Sequence, residues 1–317
     1  MSHAGNPLPN FELQALSLHR YSRGHPRPTL RVLNTGAESY YVNEEATSVT
    51  TIQGIGCQTY TWEMLGDQWT GTPTDILDAV SAADYDGVEF SNVMIGDYFS
   101  SPDHFAADLQ QRNLTLAAYA YSTTGFTDAG RFEEDLAGAR KALTFSQELG
   151  VMLCLGGASA PSCDQYDVRF DQAIRFYRTV AEQGGRMGVT VCVHPHSHHG
   201  SLLESAAEYD RLLSGTADSG LMFNPDAGHI VRAGQDLMDC VRRHRARIVH
   251  VHIKDVDATD EWQPLGKGII DWQPFFDFLE KSGYHGWVVA EEESASARKD
   301  PAAAVANNRR LLRSMGL

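Results

Sequence analysis

Eight short apolar segments alternate with eight amphipathic segments from residue 52 to the end of the chain, and this alternation is the strongest constraint on the fold. Each apolar segment has the length of a strand, and the segment after it has helical periodicity, often with Asp or Thr at its start and Gly at its end. The strand-like segments lie at 52–62, 87–91, 114–122, 151–157, 189–194, 220–226, 247–255 and 286–293. Eight strand–helix units predict an α/β protein with a (β/α)₈ TIM barrel.

An open, doubly wound parallel sheet is the rival architecture for such an alternation. The first turn of such a sheet, when it binds a dinucleotide, carries GxGxxG between a strand and a helix. Here the only early GxG, in IQGIGCQTY, lies inside a strand pattern instead. The barrel is therefore the favoured fold.

Residues 1–51 differ from the rest of the chain, because their prolines and polar stretches show no sustained period of either kind. We expect an irregular N-terminal extension that wraps on the surface, covers a partner or is disordered. The predicted domain organisation is thus an extension at 1–51 and a barrel at 52–317.

Composition and charge exclude several classes of protein. With 42% hydrophobic and 21% charged residues, the 317-residue chain falls in the globular range. Its formal net charge of −15 repels phosphate backbones and anionic membranes, so neither nucleic acid nor a membrane is an expected partner. Five scattered cysteines without a CxxC pair, and an N-terminus that lacks a secretory signal pattern, predict a cytoplasmic protein with reduced thiols.

Polar residues end the predicted strands, and in a barrel the reactive groups stand at these carboxyl ends. Eight of the thirteen histidines fall between His194 and His252. Side chains two residues apart on a strand point the same way, so Cys192, His194 and His196 can share the barrel interior. The residues at the strand ends are Glu89, His194, His196, Asp226, His252, Lys254, Glu291 and Glu293.

Carboxylates and imidazoles that converge from separate strands repel one another unless they are protonated or bind a cation. A mixture of Asp, Glu and His suits Mn²⁺, Mg²⁺, Co²⁺ or Zn²⁺, and the absence of thiolates from this mixture disfavours a closed structural zinc site. The sequence therefore predicts one divalent cation at the barrel mouth.

Six motifs, in this order, resemble the sugar-phosphate isomerase/epimerase superfamily with the xylose isomerase-like barrel: GVEF, VHPHSHHGSLLES, LMFNPDAGHI, VHIKDV, LGKGIIDW and GWVVAEEE. The resemblance covers about residues 52–317 and is greatest to the inosose dehydratases, followed by the catalytic subunits of C-glycoside deglycosidases. It implies a Glu, Asp, His, Glu ligand set from strands five to eight and Mn²⁺ as the foremost metal. Asp226, His252 and Glu291 match the last three positions.

The first ligand position departs from the family, because His194 stands where many relatives have glutamate. Either that imidazole binds the metal, or Glu204 reaches in from the following loop. We predict Glu204 as the ligand, with His194 and His196 left for proton transfer.

Four further residues are candidate substrate contacts: Glu89, Lys254, Tyr60 and Trp62. Each has a structural alternative. Glu89 can form an ion pair, Lys254 can form a surface salt bridge with Asp255, and both aromatic residues can pack in the core. Likewise, Asp226 can act as a helix N-cap, and Glu204 can complement a helix dipole.

A divalent cation at the mouth would stabilise the enolate that forms when a keto-sugar loses its α-proton. Two imidazoles in HPH, and no evident Arg/Lys cluster for a phosphate, favour β-elimination. We therefore predict a metal-dependent lyase that acts on an unphosphorylated keto-cyclitol or 3-keto-glycoside. A keto-sugar isomerase or epimerase is the alternative, and a non-catalytic barrel subunit is the second. The resemblance also implies an oligomer, with a second, smaller subunit as in the deglycosidases.

Overall fold

The computed structural model of the protein describes residues 30–35, 38–43, 52–160, 164–197 and 200–317. The chain divides into two compact units, Met1–Val49 and Thr50–Leu317. In the first unit, Leu30–Thr35 pairs with Glu38–Asn43 as an antiparallel hairpin. We expected irregular structure in this extension and did not predict the hairpin, although both strands contain β-branched or aromatic residues, which favour extended backbone.

The second unit is built on eight parallel strands, and the strand order follows the chain order around the barrel. The strands are β1 (Gly54–Gln58), β2 (Gly87–Ser91), β3 (Thr115–Tyr121), β4 (Leu153–Gly156), β5 (Val191–His194), β6 (Met222–Phe223), β7 (His250–Ile253) and β8 (Trp287–Ala290). Every strand lies within one of the eight segments predicted from the sequence. The predicted (β/α)₈ barrel is confirmed.

The barrel closes where β6 meets β7. Strands β8 and β1 pair directly, so the ring is continuous on that side. Between β6 and β7 the connection consists of two isolated parallel bridges, Phe223 with Ile248 and Asp226 with His252. A backbone hydrogen bond of 2.9 Å from His252 N to Pro225 O supports the second bridge.

Helices follow the strands and surround them. The α-helices are Tyr60–Glu63, Pro73–Ala82, Pro102–Gln111, Phe132–Leu149, Tyr166–Met187, Ala206–Gly215, Ala227–Arg232, Leu237–His244, Trp272–Lys281 and Pro301–Ser314. Shorter elements are the 3₁₀ turns Gly66–Gln68, Gly96–Ser100 and Arg245–Arg247, and a two-stranded ribbon of Asp255–Val256 with Trp262–Gln263. Aspartate N-caps, among them Asp226 and Asp236, begin several helices.

The barrel interior changes from apolar to polar along its axis. Trp287 fills the amino-terminal end, where a Cβ on Gly54 or Gly87 would come within 3 Å of its ring. Further along, Ala118, Cys154 and Cys192 pack together. The thiols of Cys57, Cys154, Cys192 and Cys240 are free and buried, as predicted, and Cys163 lies outside the described residues.

In the part of the chain that the structure describes, every helix is too short or too polar to cross a membrane.

Candidate active site

Four buried side chains converge at the carboxyl ends of neighbouring strands, and we call them the mouth cluster: His194, Asp226, His252 and Glu291. Each offers one nitrogen or oxygen atom, and these atoms all lie within 4.8 Å of one another. His194 Nε2 lies 3.4 Å from Asp226 Oδ2, and His252 Nδ1 lies 3.0 Å from Glu291 Oε2. Two imidazoles and two carboxylates at this spacing form a donor set suited to one divalent cation.

Asp226 has two roles, one for each carboxylate oxygen. Oδ1 accepts a 2.8 Å hydrogen bond from the His229 backbone N–H and so caps the helix Ala227–Arg232. Oδ2 faces His194. The N-cap role that the sequence offered as an alternative is therefore present, and it leaves the second oxygen in the mouth cluster. Burial alone would raise the pKa of Asp226, but Lys254 and His229 outweigh burial and hold it well below its usual range.

Lys254 lies inside the site rather than on the surface, with 1% of its area exposed. Its Nζ is 2.8 Å from Glu291 Oε1, donates to Glu293 Oε1 and lies 3.0 Å from His229 Nε2. The alternative of a salt bridge between Lys254 and Asp255 was wrong. The Asp255 carboxylate instead accepts backbone N–H groups from the 266–270 loop and the indole N–H of Trp272.

Glu89 on β2 is wholly buried and contacts the mouth cluster through His252. Its Oε2 accepts from His250 Nε2 at 2.6 Å and from His252 Nε2 at 3.0 Å, and its Oε1 accepts from Gln58 Nε2 at 3.2 Å. Burial opposes ionisation of Glu89, but the two imidazoles outweigh it and hold the pKa of Glu89 well below its usual range. The ion-pair alternative for Glu89 therefore describes its position, and its partner His250 is a buried histidine of the barrel interior.

Burial and neighbouring charges shift the pKa values of the titratable groups in the site. Burial alone would lower the pKa of His252, but Glu89 and Glu291 raise it to about 10. Burial and Glu291 together raise the pKa of Glu293 to about 7, against the opposing effect of Lys254. Glu89, Asp226 and Glu291, with Glu293 part-ionised, thus outnumber the two positive charges on Lys254 and the protonated His252, so the site favours a divalent cation in place of the His252 proton.

The imidazoles of His194, His196 and His229 lie next to one another. His196 Nε2 lies 3.0 Å from His194 Nδ1, and the rings of His196 and His229 are 5.1 Å apart. Burial and the neighbouring His194 hold the pKa of His196 well below its usual range. We missed His229 in the sequence, although its position three residues after Asp226, on the same helical turn, was a signal for it.

Glu204 lies outside the mouth cluster. It immediately precedes the N-cap Ser205 of the helix Ala206–Gly215, and its backbone N–H donates to Glu208 Oε2 at 3.0 Å. Among the described residues, every group of three or more potential metal donors lacks Glu204, whereas His194 belongs to one. His194 rather than Glu204 therefore completes the observed set. His198 and His199 lie outside the described residues.

The two aromatic candidates after β1, Trp62 and Tyr60, differ in their burial. Trp62 is 1% exposed and packs edge-to-face on Trp69 in the hydrophobic core, which fits the packing alternative. Tyr60 is partly exposed, and burial together with Glu293 raises the pKa of its phenol to about 12.

A cavity of about 570 Å³ opens beside the mouth cluster, with Glu293, Trp262 and Arg298 in its wall. The Trp262 ring is contacted by Lys254 Nζ at 4.6 Å from the ring centroid and by Arg232 at 4.7 Å. This tryptophan was not predicted as a site residue. A larger cavity, of about 880 Å³, lies at the opposite end of the barrel around Trp287, and its lining contains no ionisable side chain.

Comparison with known proteins identifies the family of the chain. Residues 77–315 match the family described as "Xylose isomerase-like TIM barrel". The chain belongs to this family.

Among the family's relatives, an inosose dehydratase of Lacticaseibacillus casei is 27% identical over 255 residues, which cover 71% of this chain and 83% of the relative. Two solved structures share the fold. The 3-keto-D-glucoside 4-epimerase YcjR of E. coli matches with a TM-score of 0.67 and 18% identity, over 83% of this chain and 99% of the epimerase. The IolI protein, solved with a zinc atom, matches with a TM-score of 0.69 and 15% identity, over 81% of this chain and 95% of IolI.

Proposed function

We propose that this protein is a divalent-cation-dependent lyase that removes water from an unphosphorylated keto-cyclitol of the inosose type. The convergence of His194, Asp226, His252 and Glu291 at the barrel mouth carries the proposal. The name of the L. casei relative supports the class of substrate and the elimination. A 3-keto-glycoside is the second substrate class to test.

The residues of the mouth cluster fit a divalent cation by chemistry and by charge. Two nitrogen and two oxygen donors suit Mn²⁺, Co²⁺ or Zn²⁺ better than Mg²⁺, which prefers oxygen. His194 would offer Nε2, because its Nδ1 meets His196, and His252 would offer Nδ1, because its Nε2 meets Glu89. When bound, the cation would supply Lewis-acid stabilisation of negative charge on the keto oxygen.

His196 is our candidate for the base that takes the α-proton. Its lowered pKa keeps the ring neutral near pH 7, and a neutral imidazole can accept a proton. From the sequence we predicted proton transfer by both His194 and His196. With His194 in the donor set, a second proton carrier must come from elsewhere.

Glu293 is our candidate for that second group. It lies in the wall of the cavity of about 570 Å³, beside the mouth cluster. A carboxyl group with a pKa of about 7 is part-protonated at neutral pH, so it can donate a proton to a departing hydroxyl. His196 and Glu293 thereby provide one base and one acid for a β-elimination.

The charge of the site favours an unphosphorylated substrate. Lys254 already pairs with Glu291 and Glu293, so its ammonium is neutralised by its own neighbours. Asp226 lies 3.8 Å from the same Nζ and adds further negative charge. A phosphate dianion would be repelled by this arrangement, whereas a neutral polyol would not.

Product analysis tests the proposal. We would incubate the Mn²⁺-loaded protein with an inosose, and separately with a 3-keto-glycoside, and measure product mass by mass spectrometry. The proposal expects loss of one water from the inosose, and it expects Asp226→Asn to abolish the reaction. Asp236→Asn is the matched control, because it changes another N-cap aspartate that lies outside the mouth cluster. A product of unchanged mass would instead establish the isomerase or epimerase alternative.

A further inference from the structure

A carboxylate from β2, that of Glu89, contacts an imidazole from β7, that of His252, in the barrel interior. We propose that Glu89 is a positioning residue, which holds the His252 ring so that Nδ1 faces the mouth cluster and is the atom that binds the cation. This inference rests on the proposed function, because it assumes that His252 binds a cation. It replaces the substrate contact that the sequence suggested for Glu89.

Two carboxylates flank the His252 ring, and they indicate which nitrogen a cation would bind. A carboxylate that is ionised can only accept, so His252 Nε2, at 3.0 Å from Glu89 Oε2, carries the hydrogen of that bond. The opposite ring nitrogen, Nδ1, lies 3.0 Å from Glu291 Oε2 and shares a proton with that carboxylate in the same way. Glu291 belongs to the mouth cluster and Glu89 does not, so a cation bound there would replace the proton on Nδ1 and leave the hydrogen bond from Nε2 to Glu89 intact.

Glu89 is itself held in place by other donors. His250 Nε2 donates to the same Oε2 at 2.6 Å, and Gln58 Nε2 donates to Oε1 at 3.2 Å. The Gln58 amide is oriented in turn, because its Oε1 accepts the Tyr60 backbone N–H at 2.6 Å. A carboxylate fixed by two other donors holds an imidazole more rigidly than a mobile carboxylate does.

The contacts of Glu89 show how it would act on a ligand at the mouth. Glu89, His250 and His252 are fully buried, and the Glu89 carboxylate accepts hydrogen bonds from Gln58, His250 and His252. Of these three residues His252 belongs to the mouth cluster, so the effect of Glu89 on a cation there would pass through His252. A carboxylate that accepts the second N–H of a metal-binding histidine fixes the ring orientation, and removing such a partner weakens metal binding about 10- to 100-fold.

The test measures metal affinity and the identity of the ligating nitrogen on the full chain. Glu89→Gln keeps the volume and removes the charge, and Glu89→Ala removes the acceptor altogether. Glu292→Gln is the matched control, because Glu292 is equally buried but contacts Ser294 and Asn308 rather than a histidine. Mn²⁺ affinity is read from the paramagnetic resonance of the free ion. The ligating nitrogen is read from ¹⁵N spectra of the zinc-loaded, histidine-labelled protein.

We expect the wild type and Glu292→Gln to bind Mn²⁺ with the same affinity, and Glu89→Ala to bind about 10- to 100-fold more weakly. Glu89→Gln should lie between them and fold even if Glu89→Ala does not. In the wild type, zinc should shift the His252 Nδ1 resonance and leave Nε2 protonated. Equal affinities in all the proteins, or zinc on Nε2, would overturn the inference and leave the proposed function standing. Absence of metal binding by the wild type would instead overturn both.

Discussion

Asp226 and His252 form one of the two parallel β-bridges that close the barrel, and the same two residues contribute side chains to the mouth cluster. The hydrogen bond from His252 N to Pro225 O sets their separation through the backbone. Strand β6 is short, so this closure depends on few backbone contacts. A cation that binds both side chains would therefore also join the two strands at the weakest part of the ring.

Metal binding should accordingly stabilise the folded protein. A ligand that binds only the native state at 100 times its dissociation constant adds about 2.7 kcal/mol to the free energy of unfolding. We expect Mn²⁺ to raise the melting temperature of the wild type, and a chelator to reverse the rise. Thermal unfolding followed by circular dichroism measures this shift. The Asp226→Asn variant should not respond, and a response equal to that of the wild type would contradict the assignment.

The choice between His194 and Glu204 can be decided by paired substitutions. His194→Ala removes a nitrogen from the mouth cluster, so we expect it to bind Mn²⁺ much more weakly than the wild type. Glu204→Gln changes a residue outside that cluster and should leave the affinity unaltered. Calorimetric titration of both variants measures the difference. The opposite pattern would restore Glu204 as the ligand.

Metal affinity should increase with pH. Without a cation, Glu89 and Glu291 raise the pKa of His252 to about 10, so the ring carries an extra proton at neutral pH. A cation must displace that proton, and the apparent affinity therefore rises up to about tenfold per pH unit below the pKa. Mn²⁺ titrations between about pH 6 and 9 test this slope. An affinity independent of pH would show that His252 is not a ligand or is neutral in the free protein.

Lys254 should be essential for stability because of the carboxylates around it. Lys254→Met leaves Glu291 and Glu293 without their cationic partner, and breaking a buried ion pair in this way costs about 3–5 kcal/mol of unfolding free energy. Urea unfolding measures the loss. Lys281→Met is the control, because its pair with Asp277 is exposed to solvent and should contribute little to stability. Equal losses in the two variants would contradict the role of Lys254.

The sequence was sufficient to predict the fold because its evidence is local. Each strand and helix carries its own periodicity, and eight repeated units leave few architectures. Asp226, His252 and Glu291 were brought together correctly for a related reason, since the carboxyl ends of all the strands meet at one face. The hairpin before residue 44 was missed because its residues lie in a stretch without a sustained pattern.

The depth and direction of side chains could not be predicted from the sequence. The alternation of side chains along a strand assigns Glu89 to the interior but does not show how far it lies from the barrel mouth. A register shift between Val88 and Glu89 also alters the pairing of β2 with β3. The sequence could not show which tryptophan lies at the site. Trp62 packs in the core, whereas Trp262, on the ribbon after β7, contacts Lys254. The neighbours of Lys254 likewise come from strands distant in sequence.

The central claim is that the mouth cluster holds a divalent cation, and elemental mass spectrometry of the purified, undialysed protein tests it most directly. The account predicts close to one equivalent of Mn, Co or Zn in the wild type and in Asp236→Ala, and its loss in Asp226→Ala. If the wild type contains no metal and takes none up on titration with Mn²⁺, or if Asp226→Ala retains the full amount, the claim is contradicted.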